Sequence, residues 1–247
     1  MLLLNLLIIF ILGTIVGSFL NVVIFRYNTG LSIVYGRSKC FSCGKHLKWY
    51  ELLPVFSFIL LGAKCLSCNS KISYQYFTVE LITGIVFSLL FLKFGFVPLL
   101  PIYFLITSLL ITMSVYDFKH KIIPDGMVYT FIALSLIVFL FTHKSEDLFN
   151  FPVSLDLLAA PLLFSFFAFF WLISGGRWMG FGDAKLAIGV GFLLGFSGGV
   201  FAIMLAFWMG AGLSLILILF QKIRVANFQL SLKSEIPFAP FIILAVF

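Results

Sequence analysis

The chain reads as a succession of long apolar runs rather than as amphipathic elements. Met1 to Phe25 is interrupted only by Asn5, Thr14, Ser18 and Asn21. Further runs follow at about Tyr76 to Leu92, Leu99 to Tyr116, Gly126 to Thr142, Leu155 to Ser174, Ala184 to Phe196, Gly199 to Phe220 and Ile236 to Phe247. A helix apolar on every side is buried in a core or faces lipid, and about 20 residues cross a bilayer. The pattern predicts an all-α polytopic membrane protein with about eight transmembrane helices. Gly198-Gly199 is the expected break in the longest stretch.

Composition sharpens this picture. Of 247 residues 62% are hydrophobic and 10% charged, against roughly 25% charged in a soluble domain. That excludes a soluble globule, a disordered chain and a nucleic-acid binder. The net charge of +7 matters through its placement. No charge precedes Arg26, so the first run is read as a span entering from outside rather than as a cleaved signal. The segment from Arg26 to Lys71 carries Arg26, Arg37, Lys39, Lys45, Lys48, Lys64 and Lys71 against Glu51, which makes it a cytoplasmic loop by the positive-inside rule. Alternating from there, only Lys93 and Lys144 of the 16 Lys and Arg fall outside. The expected division is a first helix over 1–25, a loop over 26–75 and a membrane-embedded core over 76–247.

All four cysteines lie in that loop, as Cys40-Phe41-Ser42-Cys43 and Cys65-Leu66-Ser67-Cys68. Two C-x-x-C pairs supply four soft ligands able to close tetrahedrally around zinc. Redox-active or unliganded thiols are the alternative, although a reducing compartment disfavours a disulfide. A four-sulfur site has no open position, so its task is structural. His46 reads as a loop residue beside this set. The apolar stretch Trp49 to Leu61, around Pro54, is expected to lie on the membrane interface with Trp49 and Tyr50 as anchors.

Carboxylates at bilayer edges are costly and usually functional. Asp117 follows the third run, in Tyr116-Asp117-Phe118-Lys119-His120-Lys121-Ile122-Ile123-Pro124-Asp125, and Asp183 opens the sixth, in Gly180-Phe181-Gly182-Asp183-Ala184-Lys185. Asp125 and Asp183 precede apolar helices, where helix capping explains an Asp without further function. Asp117 sits instead at the negative end of a helix dipole, where it needs compensation. A salt bridge to Lys119, Lys121, Lys185 or Arg177 is one source. The other reading pairs it with Asp183, two carboxyl groups that share a proton and activate water.

These residues resemble the bacterial type IV prepilin peptidases, membrane aspartyl proteases with a Gly-x-Gly-Asp motif. Gly17-Ser18-Phe19-Leu20-Asn21 through Arg26 resembles the end of the family's first span, and Ser38-Lys39-Cys40 through Pro54 its cysteine loop. Tyr76 through Gly84 is similar to its second span, and Ile236-Pro237-Phe238-Ala239-Pro240-Phe241 to its last. The signature of Asp, six residues, then Pro-Asp, and later Gly-x-Gly-Asp-x-Lys reads here as Asp117, Pro124, Asp125, Gly180, Gly182, Asp183 and Lys185.

The resemblance implies that Asp117 and Asp183 are the catalytic pair, with Gly180, Gly182, Lys185, Pro124 and Asp125 in support. It implies removal of the basic leader of prepilins or pseudopilins, after a Gly, on the cytoplasmic side of the bacterial inner membrane. Pilus assembly, type II secretion and competence are the processes such enzymes serve. It further implies N-methylation of the new N-terminus with S-adenosylmethionine, for which the sequence offers no binding residues. Cys40, Cys43, Cys65 and Cys68 are the expected metal ligands. Lys185 reads either as support for the pair or as a lysine snorkelling to the interface. Presenilin-like proteases share the two Asp contexts, but the cysteine loop and the Asp-to-Pro-Asp spacing favour the prepilin group. A proton- or cation-coupled transporter using the same Asp pair is the alternative from another class.

Overall fold

The computed structural model describes residues 1–143, 153–223 and 237–247. Lys144, Arg224, Lys233 and Ile236, placed above by charge and hydropathy, lie outside the described residues. Among those described there are eight helices and no strand: α1 (Leu2–Arg26), α2 (Phe56–Leu60), α3 (Tyr74–Phe94), α4 (Leu100–His120), α5 (Asp125–Thr142), α6 (Val153–Ser174), α7 (Phe181–Ile223) and α8 (Ala239–Val246). A 3₁₀ turn over Trp49–Leu52 precedes α2. Six helices, namely α1, α3, α4, α5, α6 and α7, are long and apolar enough to cross a membrane. Their outward faces carry residues such as Leu3, Phe141, Leu172 and Trp208, each more than 70% exposed, as lipid-facing surfaces do.

Two boundaries differ from the sequence reading. The long final stretch breaks at Gly195 rather than at Gly198-Gly199. Gly195 has φ 69° and ψ −170°, a conformation essentially reserved for glycine. Asp156 of α6 makes the break there tenable, because its Oδ1 accepts the Phe196 N–H at 2.8 Å and so satisfies a donor freed at the new helix start. The expected last span is helical over Ala239–Val246, about 12 Å of helix at 1.5 Å per residue.

Contacts group the chain into two compact units, 1–112 and 113–247. In the first, α1 and α3 cross closely because Gly13 and Gly17 lie one turn apart. A Cβ on Gly17 would stand 2.7 Å from the Cα of Glu80, and one on Gly13 would stand 2.8 Å from the Cα of Gly84. Small residues at such crossings let backbones pack where no hydrophobic drive exists. Ile9, Phe87, Phe91 and Leu100 form the apolar core beside that crossing. In the second unit α7 is the hub, packing on α6, α5 and α8 around the fully buried Phe131, Phe139, Phe167, Leu186 and Ile242.

Candidate active site and metal centre

The second unit brings Asp117 and Asp183 to one cleft of about 270 Å³, lined also by Lys121, Ile123, Gly176, Arg177, Trp178, Met179, Gly180, Gly182, Pro237 and Phe238. Both carboxyl-bearing residues are buried, at 5% and 6% exposure. The helix α4 runs on to His120, so Asp117 lies inside its last turn rather than after it. The chain then stops the helix with Lys121 in the left-handed region at φ 54°, its N–H donating to the Asp117 carbonyl at 2.7 Å.

The compensation that Asp117 needs comes from another helix end. The backbone amide of Ala239 faces the Asp117 carboxyl. Ala239 is the first residue of α8 and Pro240, which has no N–H, follows it. The amide is therefore a free helix-start donor at a positive dipole end. Asp183 is held differently. It is the third residue of α7 and its carboxyl meets the Gly180 backbone amide, the reach-back half of a capping box. Asp183 thus makes a capping contact while lining the same cleft as Asp117.

Two glycines of the motif play different steric parts. A Cβ on Gly182 would stand 3.1 Å from both Cβ and Cδ1 of Ile123, whereas one on Gly180 would meet Asp183 Oδ2 at 3.6 Å, an ordinary contact. Gly182 thus lets the start of α7 close on the loop between α4 and α5. A lysine–carboxylate pair joins α7 to the start of α5: Lys185 Nζ donates to Asp125 Oδ1 at 2.7 Å, with the rings of Tyr129 and Phe181 at 5.4 and 5.3 Å. Asp125 therefore pairs with Lys185 instead of capping α5, whose N-cap is Pro124 without a side-chain bond. Arg177 lines the cleft with its Nε donating to the Ser174 carbonyl at 3.2 Å.

The sequence did not point to Ile123, Trp178, Met179 or the Ala239 amide. The first three are ordinary apolar residues without a motif, and a backbone amide has no side-chain signature. Pro237 to Pro240 is the one local hint, since a proline just inside a helix start marks a free amide end.

In the first unit the four cysteine sulfurs lie within 4.8 Å of one another, with Cys40 and Cys68 at 3.8 Å. Four sulfurs about 2.3 Å from a tetrahedral zinc stand at comparable separations. The two C-x-x-C turns match each other. Cys40 N–H donates to the Lys45 carbonyl and Cys65 N–H to that of Ser70, and in each turn a left-handed residue, Gly44 or Asn69, returns a bond to the first cysteine. The Cys43 amide pulls the Cys40 thiol down to about 6, helped by the Ser70 hydroxyl. Cys43 is driven up to about 11, against the pull of the Lys45 amide, by desolvation and the neighbouring thiols. Four thiolates so close need a cation to coexist, so the cluster can hold a metal. His46 sits apart from it, in a cleft with Arg37, Lys48, Trp49 and Tyr50.

Known proteins match both parts of the chain. Residues 11–94 match the bacterial peptidase A24 N-terminal domain, and residues 104–215 match the type IV leader peptidase family. A protein of Bacillus subtilis named prepilin leader peptidase/N-methyltransferase is 32% identical, over 94% of this chain and 88% of its own length. One of that name from Pseudomonas aeruginosa is 30% identical, over 95% and 86%. A third, from Myxococcus xanthus, is 43% identical over 118 residues, which are 48% of this chain and 35% of the relative. No solved structure matches. With one matched domain holding the cysteine cluster and the other both buried aspartates, the chain belongs to the type IV prepilin peptidase family.

Proposed function

We propose that this chain removes the leader of prepilins or pseudopilins and N-methylates the residue so exposed, with Asp117 and Asp183 as the catalytic pair of the peptidase. The observation that carries the peptidase reading is the shared cleft, in which two buried carboxyl groups from different helices face open space. One carboxylate takes a proton from water as its oxygen attacks the scissile carbonyl. The other, protonated, donates to the carbonyl oxygen. Collapse of the tetrahedral adduct breaks the C–N bond as the leaving amine is protonated, and the pair regains its shared proton. The Ala239 amide holds Asp117 while the Gly180 amide holds Asp183, so neither has to reorganise as charge moves. Gly180, with no neighbour but Asp183 Oδ2 and the Gly182 amide within 4 Å of its Cβ direction, leaves room for an extended substrate backbone.

A proton- or cation-coupled transporter fits less well. Asp117 lies three residues from the end of α4 and Asp183 two residues from the start of α7, about 4.5 and 3 Å along the axis, whereas transport sites gather near the bilayer midplane. The basic loop supports an active site facing the cytoplasm across the inner membrane.

Zinc fits the four sulfurs. Cys40, Cys43, Cys65 and Cys68 would fill its coordination shell, and the ion would tie the two turns of the loop together. The cleft lined by Arg37, Lys48, Trp49 and Tyr50 offers no carboxylate to the sulfonium of S-adenosylmethionine, since Glu51 is committed to Lys48 and Lys45.

The test is co-expression with a prepilin and mass analysis of the product. Leader loss with one added methyl group supports both activities, and leader loss alone supports only the peptidase. An intact leader with several prepilins, at good expression, overturns the proposal.

A further inference from the structure

We propose that residues 49–61 form an interfacial arm, fixed in depth by Glu80 and seated in the headgroup layer of an anionic leaflet, with the adjoining cleft receiving a lipid phosphodiester. This inference concerns the first unit and does not rest on the peptidase reading.

The arm is tied to the membrane helices by a buried carboxylate. Glu80 is 7% exposed and lies six residues into α3, about 9 Å from its start. Its Oε2 accepts the Val55 N–H at 2.7 Å. Val55 has φ 63° and ψ −51°, and the Phe56 N–H reaches back to the Pro54 carbonyl at 2.6 Å. That is a strained three-residue turn, rare for any side chain and unfavourable for a β-branched one. It turns the Val55 amide out of the local bonding pattern and onto Glu80. Phe58 then stacks on Phe77 at 5.3 Å and meets Tyr74 edge-on at 5.5 Å. The arm therefore descends along the first two turns of a membrane-spanning helix.

Its other side is apolar and uncovered. Phe56, Ile59 and Leu60 are 64%, 62% and 80% exposed, and Trp49 is 76% exposed. At that depth the medium facing them is the boundary between headgroups and acyl chains, continuous with the lipid-facing surface of α3. The charges around them favour an anionic leaflet. Glu51, the acidic residue between α1 and α3, accepts the Lys48 N–H at 2.7 Å and pairs with Lys45 at 3.2 Å. Arg37 and Lys48 line a cleft of about 600 Å³ with His46, Trp49 and Tyr50. Cations beside exposed aromatic rings are the pattern of a headgroup site, and each basic residue at such a surface strengthens binding to anionic lipid roughly fivefold.

The experiment uses the full chain in nanodiscs of phosphatidylglycerol and phosphatidylcholine. Photoreactive benzoylphenylalanine is placed at Phe56 or at Leu60, with Leu66 in the second cysteine turn as control. The expected products are lipid adducts at the first two positions and not at the third. Their yield should fall severalfold in pure phosphatidylcholine, with Arg37→Glu and Lys48→Glu together, and with Glu80→Ala. Glu80→Gln, which keeps the acceptor oxygen, should restore it. Adducts to a prepilin or to a second copy of the chain, labelling by lipid equal at Leu66, or yields indifferent to anionic lipid would each overturn the proposal. Quenching by interface-brominated lipids, taken as the difference between wild type and Trp49→Phe, is an independent reading of the same depth.

Discussion

Replacing Gly182 by alanine isolates the role of the close approach between α7 and the loop that follows Asp117. Gly182 lies in the first turn of α7, where alanine is favoured over glycine by about 1 kcal/mol. The new Cβ would stand 3.1 Å from Cβ and Cδ1 of Ile123 and 3.4 Å from its Cγ1. Ordinary contact begins at about 3.5 Å, so Ile123 or the start of α7 must yield by a few tenths of an ångström. Overpacking of this kind costs roughly 1–3 kcal/mol, which the helix preference largely offsets. Stability should thus change little. The displacement falls between Asp183, one residue on, and the 121–124 loop, whose first amide bonds the Asp117 carbonyl. A misplacement of 1 Å at a reacting centre costs about 100-fold. Half of that predicts a tenfold drop in kcat, equal to about 1.4 kcal/mol in the barrier. Ile123→Ala in the same chain removes the contacts to Cγ1 and Cδ1 but keeps the Cβ at 3.1 Å, so it should recover part of the loss. Gly180→Ala makes no such clash, so its effect should appear in KM, through the substrate. The assay is steady-state cleavage of a prepilin in nanodiscs alongside a thermal melt. An unchanged kcat in Gly182→Ala, or a deficit that Ile123→Ala leaves in place, would refute the reasoning.

Lys185→Met should lower kcat by roughly 3–10-fold with little change in thermal midpoint, since ion pairs with an exposed partner contribute about 0.2–1 kcal/mol; the double reversal Asp125→Lys with Lys185→Asp should recover part of it in the same assay. Gly195→Ala puts a Cβ 2.5 Å from Asp156 Oδ1 in a glycine-only conformation, at a cost of about 2–3 kcal/mol, so the melting midpoint should fall by roughly 5–10 °C. Metal analysis should find one zinc per chain, lost in Cys65→Ser; trypsin should then cut the loop at Lys45 and Lys64 while leader removal continues, because both aspartates lie in the other unit. The Lys48 amide and then the Lys45 ammonium hold the Glu51 carboxyl below its ordinary range. Its share of loop stability is therefore present above about pH 4.3 and lost as the pH falls through the lower folded value, which hydrogen exchange of residues 45–52 against pH would register.

Much of this was legible in the sequence because lipid imposes a one-dimensional rule. Runs of apolar residues long enough to cross a bilayer appear as helices whatever they pack against, so α3, α5 and α6 begin and end within two residues of their hydropathy limits. The Gly195 break was not legible. Gly198-Gly199 is the stronger local breaker, and the actual site is selected by Asp156, 39 residues away on another helix. The two aspartates and the four cysteines announced themselves by residue type and spacing. Their partners did not: the Ala239 amide, Ile123 and the Val55 amide are recruited by tertiary contact, and nothing in their own side chains marks them. Asp125 shows the same limit, since its local context suggests a cap and its distant context supplies Lys185.

The most direct test of the central claim is single-turnover cleavage of one prepilin, in the same nanodiscs, by wild type, Asp117→Asn and Asp183→Asn, with leader release read by mass. Asparagine preserves size and an acceptor oxygen for the Ala239 or Gly180 amide, but it can neither take a proton from water nor donate an acidic one. The account predicts release by wild type and none above background with either variant, each folded as judged by an unchanged melt. Leader release at a rate near wild type by either Asn variant would contradict it.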